Sequence, residues 1–185
     1  MKIALVAKKG GVGKTTLSIL LYEAFRRAER SVAIRDYDAQ GSANKALSAF
    51  GGEAEKPGGK YDILIIDTPP SLSAAATAAA VGEADIILIP TSPAPLDIWE
   101  ADEAAQFAAR RNPKAKIRLV LNRAQKGTLL TTAFAQAAET ISARPLSASL
   151  SHRQSFAQAA ALGWGALDKS AREELLELAF LIQNI

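Results

Sequence analysis

The sequence predicts an α/β fold in which a doubly wound, mostly parallel sheet is flanked by helices. Short runs of branched apolar residues alternate along the chain with longer stretches of helical periodicity. This is the order expected for parallel strands joined by helical crossovers. A glycine-rich turn with adjacent lysines also follows the first apolar run, where a parallel strand would lead into its helix.

The same pattern sets the approximate bounds of each element. Strands are predicted at residues 2–7, 31–35, 61–67, 85–90 and 116–122. Helices are predicted at residues 15–29, 41–49, 72–82, 96–111 and 128–141. The one flexible connection, residues 50–60, is short and there is no internal repeat. We therefore expect a single domain over residues 1–185, long enough to bury a sizeable core.

The first strand and helix enclose the most informative segment, residues 8–16 with the sequence KKGGVGKTT. A loop in this place directs backbone N–H groups at a polyphosphate, and its glycines allow close approach. Lys14 can neutralise terminal phosphates, and the Thr15 hydroxyl can bind Mg²⁺. The usual pattern G-x-x-x-x-G-K-[ST] has a glycine where this chain has Lys8, so the loop is a deviant form. The candidate nucleotide-binding residues here are Lys9, Gly10, Gly11, Val12, Gly13, Lys14, Thr15 and Thr16.

Acidic residues follow the next two strands. Asp36 and Asp38 come after residues 31–35, where carboxylates beside a phosphate loop can hold Mg²⁺-bound water or orient an attacking water. Asp-x-Asp before a glycine also fits a simple turn. The run at residues 63–66 suits a strand buried on both faces, and Asp67 at its tip is well placed for Mg²⁺. A turn or helix-capping role is the alternative for Asp67.

The segment K-G-G-V-G-K-T-T resembles the deviant Walker-type ATPases of the ParA/MinD family. Three further segments resemble that family in the same order. Residues 35–42 resemble its D-x-D-P-Q-G segment, with Ala39 where proline is frequent, and residues 61–71 resemble its Walker B strand and switch II. Residues 86–101 resemble the strand and proline-rich loop beside the family's dimer interface. Residues 117–123 resemble the strand that leads to its adenine pocket.

The resemblance implies a P-loop NTPase fold, ATP and Mg²⁺ as cofactors, and a role for each motif residue. Lys14 would act in cis, Lys9 would reach across a dimer to the partner's nucleotide, and Asp38 would be the hydrolytic carboxylate. Asn122 would contact the base, although an asparagine that simply closes a strand fits as well. The candidate metal ligands are Thr15, Asp36 and Asp67.

Composition narrows the class of enzyme. The chain has no cysteine, so it cannot hold a thiolate-bound iron–sulfur cluster, which excludes the nitrogenase iron protein and the cluster carriers of the same superfamily. No apolar run reaches the ~18 residues that a membrane span needs, and the apolar run at residues 2–7 is too short for a secretory signal. We expect a cytoplasmic ATPase core without an additional DNA-binding region.

Positive charge is concentrated late in the chain. Residues 110–153 contain nine lysines and arginines and one acid, Glu139, a local charge of +8 in a chain of net charge +3. Such a region fits sequence-independent binding of phosphate backbones, and a solvated basic face is the alternative. The resemblance favours DNA, because ParA-type ATPases bind nonspecific DNA as ATP-bound dimers. The candidate DNA contacts are Arg110, Arg111, Lys114, Lys116, Lys126, Arg144 and Arg153.

The C-terminal segment, residues 171–185, argues against membrane binding. MinD-type proteins end in a basic amphipathic helix, whereas this segment has three glutamates and one arginine, which anionic lipid would repel. We expect its apolar residues to pack on the domain instead. These are Leu175, Leu176, Leu178, Phe180, Leu181 and Ile182.

Together these features predict a ParA-like partition or positioning ATPase associated with the nucleoid. ATP would close a homodimer that binds nonspecific DNA, and a ParB-like or other cargo adaptor would stimulate weak hydrolysis and release it. The cargo could be a plasmid, a chromosome locus or a protein body such as a microcompartment or a chemoreceptor cluster. Alternatives are a nucleotide-controlled switch with negligible turnover, a MinD-like membrane-associated ATPase, and a ligase related to dethiobiotin synthetase. The ligase alternative leaves both Lys9 and the basic region unexplained.

Overall fold

A six-stranded sheet forms the centre of the molecule in the computed structural model, which describes residues 1–125 and 127–185. All strand pairs of this sheet are parallel, and their order is β2-β3-β1-β4-β5-β6. The strands are β1 (Lys2–Leu5), β2 (Val32–Asp36), β3 (Ile63–Asp67), β4 (Ile86–Thr91), β5 (Lys116–Ala124) and β6 (Arg144–Ser151).

Helices cover both faces of the sheet. They are α1 (Lys14–Arg27), α2 (Ser42–Phe50), α3 (Ala75–Glu83), α4 (Pro95–Arg111), α5 (Leu129–Ala138), α6 (Gln154–Leu162) and α7 (Lys169–Gln183), with a 3₁₀ turn at Trp164–Ala166. Helices α1, α2, α6 and α7 pack on one face and α3, α4 and α5 on the other. The doubly wound α/β fold predicted from the sequence is therefore confirmed, with a fully parallel sheet.

The central strands are buried because helices cover both of their sides. Every residue of β3 and β4 is buried. Alternate residues of β3 enter opposite cores, so that Ile65 packs beneath α1 and Ile66 packs toward α3 and α4. This explains why both strands are continuous apolar runs in the sequence rather than alternating patterns.

Each predicted strand and helix is present, but the last third of the chain holds further elements. Strand β6 has only the weak alternation Leu146, Ala148 and Leu150 between serines, and its pairing with β5 is interrupted by two register shifts. Helices α6 and α7 complete the face that α1 covers. Without these elements the sheet would end at β5.

Helix α7 corrects part of the expectation for the C-terminal segment. Leu175, Leu178 and Ile182 are buried as expected, but Phe180 is 65% exposed and Leu176 is also exposed. They lie on the outer side because only one stripe of a helix can face the sheet. Among the described residues, no helix combines the length and apolar character required to cross a membrane.

Candidate nucleotide site

The candidate site forms where three neighbouring strands reach their carboxyl ends. Asp67 at the end of β3 stands beside Leu5 of β1 and Asp36 of β2 in the sheet register. The glycine-rich loop follows β1 directly and leads into α1 at Lys14. The parallel sheet therefore gathers the phosphate loop and the acidic residues of two other strands at one edge. We call this the nucleotide edge.

The loop is shaped by glycines and held against β5. Gly13 has φ 99° at the start of α1, and a Cβ added there would lie 2.4 Å from the Asn122 side-chain nitrogen. That nitrogen donates a 2.9 Å hydrogen bond to the Val12 carbonyl. A residue larger than glycine at position 13 would therefore break the contact that fixes the loop.

Lys14 lies over the loop rather than in solvent. The residue is 6% exposed, and its Nζ donates a 3.1 Å hydrogen bond to the Lys9 carbonyl. Burial lowers the pKa of Lys14, while the charges of Asp67 and Asp38 act in the opposite direction. An ammonium group held in this way is placed to bind an anion above the loop.

Asp67 is completely buried and holds two hydroxyl groups. Its carboxylate accepts hydrogen bonds of 2.7 Å from Thr15 Oγ1 and 3.1 Å from Ser18 Oγ. Burial raises the pKa of Asp67 to about 6, although the two hydroxyl hydrogen bonds lower it. Perturbed carboxyl groups of this kind are typical of functional sites.

Thr15 and Asp67 form a suitable, though incomplete, donor set for Mg²⁺. Their oxygens lie 2.7 Å apart at the foot of the loop, and hard oxygen ligands are those that Mg²⁺ prefers. In the described part of the chain no three His, Cys, Asp or Glu side chains converge on one point. The remaining ligands would be phosphate oxygens and water, which is usual for Mg²⁺ in nucleotide sites.

Asp36 has a structural task in addition to the predicted one. Its carboxylate accepts backbone hydrogen bonds of 3.0–3.1 Å from Asp38, Ala43 and Asn44. The N–H groups of Ala43 and Asn44 belong to the first turn of α2, where no helical carbonyl is available to accept their hydrogen bonds. Asp36 thus fixes the loop that carries Asp38, and its role toward the metal stays a prediction.

A cavity of about 240 Å³ opens above the loop. Asp38 approaches it from β2 and Pro70 from the segment after β3, so both lie beside the loop. The Asp38 carboxylate accepts a 3.0 Å hydrogen bond from the Gln40 N–H, which orients it. The cavity, here called the phosphate cavity, is lined by Gly10, Gly11, Gly13, Lys14, Thr15, Thr16, Asp38, Pro70 and Arg123.

A second cavity of about 200 Å³ shares Gly13, Thr16 and Arg123 with the first. Asn122 lies in its wall, which agrees with the predicted base contact but leaves it untested. The rest of the wall comes from the end of β6, the start of α6 and the turn between them, a segment that no sequence motif predicted at this site. This base cavity is lined by Gly13, Thr16, Asn122, Arg123, Ser151, His152, Arg153, Gln154, Phe156 and Ala157.

The side chain of Lys9 turns away from the phosphate cavity toward α4. It forms ion pairs with Asp97 and, at 3.2 Å, with Glu100. The Lys9 side chain is 42% exposed, and hydrogen bonds to these carboxylates raise its pKa. Lys9 and Lys14 therefore occupy different environments, and Lys9 is accessible to a second molecule.

The candidate DNA contacts do not form one surface. Arg153 lies at the nucleotide edge, where it pairs with Glu174 at 2.9 Å. Lys126 lies outside the described residues. The other five are exposed at the opposite edge of the sheet, where α4 ends and β5 and β6 begin. This basic edge consists of Arg110, Arg111, Lys114, Lys116 and Arg144, none of which forms an ion pair with a described residue.

Sequence reasoning missed Ser18 and Arg123 as site residues. Ser18 lies one turn after Lys14 on α1, and its polar side chain within the apolar stripe Leu17, Leu20 and Leu21 was a usable signal. Arg123 follows Asn122 directly, but nothing in the sequence indicates its backbone conformation. Arg123 becomes recognisable as a site residue only when β5 is paired with β6.

The chain matches a known family of nucleotide-binding domains. A family model described as the CobQ/CobB/MinD/ParA nucleotide binding domain matches residues 3–163. The chain is 29% identical over 204 residues to the "Maintenance of carboxysome distribution protein A" of Halothiobacillus neapolitanus, an alignment that covers 95% of this chain and 93% of that protein.

Solved structures share the fold at lower identity. The MinD cell division protein of Aquifex aeolicus superposes with a TM-score of 0.78 and 18% identity, covering 100% of this chain and 97% of its own. Cobyrinic acid a,c-diamide synthase from Mycobacterium smegmatis, with bound ATP analog and magnesium, gives a TM-score of 0.80 and 18% identity over 99% and 94% of the two chains.

Proposed function

The chain belongs to the CobQ/CobB/MinD/ParA family of nucleotide-binding domains, and we propose that it is a Mg²⁺-dependent ATPase of the positioning type within that family. The observation that carries the proposal is the separation of Lys9 from Lys14. Lys14 covers the loop of its own chain, whereas Lys9 is directed outward and held by acids of α4. A ligase that works as a monomer would not need Lys9 to reach a partner's nucleotide.

The residues of the site fit ATP and Mg²⁺. The loop N–H groups and Lys14 would hold the β- and γ-phosphates, and Thr15 and Asp67 would hold the metal. Bound Mg²⁺ neutralises charge that develops on the phosphate oxygens. Asp38, fixed by Gln40 at the rim of the phosphate cavity, would orient the attacking water. Lys9 would contact the nucleotide of a second copy and so couple ATP binding to dimer closure.

Nonspecific DNA is the proposed surface on which the ATPase acts. The basic edge presents five exposed cations without acidic partners in the described part of the chain, which suits contacts to phosphates rather than to bases. This edge lies opposite the nucleotide edge. A dimer closed over ATP would carry one basic edge at each outer end, so ATP dependence of DNA binding would come from having two such ends on one particle.

The cargo we propose is a protein body of the microcompartment type. The supporting observation is the similarity, along nearly the whole chain, to a protein named for carboxysome distribution. An adaptor on the cargo would stimulate hydrolysis and release the dimer from the nucleoid. Plasmid or chromosome cargo would need a different adaptor but the same ATPase cycle.

Measurements of ATP turnover test this proposal. Phosphate release is measured for the protein alone, with DNA, and with DNA plus the adaptor encoded beside it. We expect slow turnover alone and a rise of at least tenfold with both additions. ATP-dependent DNA binding without stimulated turnover would instead identify a nucleotide-controlled switch.

A further inference from the structure

Arg123 has a backbone conformation that costs free energy. Its φ is +56°, in the left-handed region that side chains with a Cβ avoid. Among the described residues Glu29 is the only other non-glycine residue with positive φ. Strained residues persist where the surrounding structure fixes them, and they cluster at ligand sites.

The surroundings of Arg123 do fix this conformation. It lies in an irregular segment of β5, between the pairs that Leu121 and Ala124 make with β6. The Asn122 carboxamide accepts a 2.9 Å hydrogen bond from the Arg123 N–H and ties the strand to Val12 of the phosphate loop. Irregularities of this kind redirect a side chain at the end of a strand.

Arg123 lies at the junction of the two cavities. Arg123 lines both the phosphate cavity and the base cavity, together with Gly13 and Thr16. A nucleotide with its terminal phosphates in one cavity and its base in the other must pass these residues with its ribose and α-phosphate. Arg123 is exposed and forms no ion pair within 4.0 Å with a described residue, although its charge helps to lower the pKa of Asp97.

We propose that Arg123 binds the α-phosphate of the bound nucleotide and that its left-handed backbone is retained for this contact. The proposal rests on nucleotide binding at this site. The α-phosphate is common to ADP and ATP, so the contribution of Arg123 is the same for both. Arg123 then differs from Lys14, whose contact is with the terminal phosphates.

Arg123→Gly separates strain from binding. Glycine adopts the left-handed conformation without a steric penalty, so the melting temperature without nucleotide should rise by about 2–4 °C. Loss of a charge-assisted contact should reduce the affinities for ADP and for ATP by the same factor, about tenfold, in calorimetric titrations with Mg²⁺. A variant that is more stable and binds more weakly is not expected from a purely structural residue.

Glu29→Gly is the matched control, because it relaxes the same conformation at a residue that lines neither cavity. It should raise the melting temperature and leave both affinities unchanged. Arg123→Asn should lose affinity as Arg123→Gly does, whereas Arg123→Lys, which keeps the charge, should lose less. Wild-type affinity for ADP in Arg123→Gly, or equal losses in the lysine and glycine variants, would overturn the proposal. Absence of nucleotide binding in the wild type would overturn the proposed function as well.

Discussion

Asp67→Asn removes a negative charge from a fully buried position and keeps the shape of the side chain. The asparagine can still accept a hydrogen bond from one of the two hydroxyl groups, Thr15 or Ser18, and donate one to the other. Without nucleotide, we therefore expect this variant to be more stable than the wild type at pH 8. It should also lose Mg²⁺-dependent nucleotide binding.

The size of the effect follows from the pKa of Asp67. Burial raises it from 3.8 to about 6, a difference of about two units, and each unit corresponds to ~1.4 kcal/mol. Because the pKa is higher in the folded state, the contribution of the neutral carboxyl is fully present below pH 3.8 and is lost as the pH rises through 6. At pH 8 the variant avoids this loss of ~3 kcal/mol in the free energy of unfolding. Its melting temperature should then be higher than that of the wild type by about 6–12 °C.

Urea unfolding of both proteins between pH 4 and pH 8 measures the difference directly. The advantage of the variant should be largest at pH 8 and should shrink progressively below pH 6. Other carboxyl groups titrate in both proteins and cancel from the difference. Asp38→Asn is the control, because it makes the same chemical change at a side chain that is only partly buried. An Asp67→Asn variant less stable than wild type at pH 8, or an advantage independent of pH, would refute this reasoning.

The remaining predictions concern the proposed cycle. Lys14→Ala should abolish ATP binding and Asp38→Ala should retain it but lose hydrolysis; equal losses of affinity in calorimetry would contradict this division of roles. Lys9→Ala should bind ATP and remain monomeric in light scattering, and an ATP-dependent dimer of normal affinity would exclude contact across the dimer. Lys114→Glu should weaken DNA binding equally for all sequences and reduce the salt slope by about one. A loss confined to Arg153→Glu would place the DNA contact at the nucleotide edge instead.

Much of the fold could be predicted because its signals are local. Helices α1 and α4 have apolar residues at helical spacing, and β3 and β4 are unbroken apolar runs, so their predicted bounds agree with the structure within three residues. Strand β6 was missed because serines and alanines bury little apolar area, and only its pairing with β5 makes it a strand. Its existence depends on contacts distant in sequence.

The candidate site likewise contains residues that could be placed from the sequence and residues that could not. Lys14, Thr15 and Asp67 stand in motifs whose spacing is set by one strand and one turn, so the sequence alone brings them to one edge. Arg123 depends on a strand irregularity, and the position of Arg153 depends on how β6 pairs. A count of charges along the sequence groups Arg153 with the basic edge. In the structure β5 and β6 both run from the basic edge to the nucleotide edge, so residues at the two ends of one strand lie on opposite sides of the molecule.

The ion pairs of Lys9 with Asp97 and Glu100 have a consequence for the energetics of association. In the proposed dimer, a partner's phosphate would compete for an ammonium group that is already neutralised within its own chain. The contribution of Lys9 to the affinity of the proposed dimer would then be the difference between its attraction to the phosphate and its attraction to Asp97 and Glu100. Because dissolved ions screen both attractions, this contact should respond weakly to salt, unlike the binding of DNA. The two equilibria could then be separated by ionic strength alone.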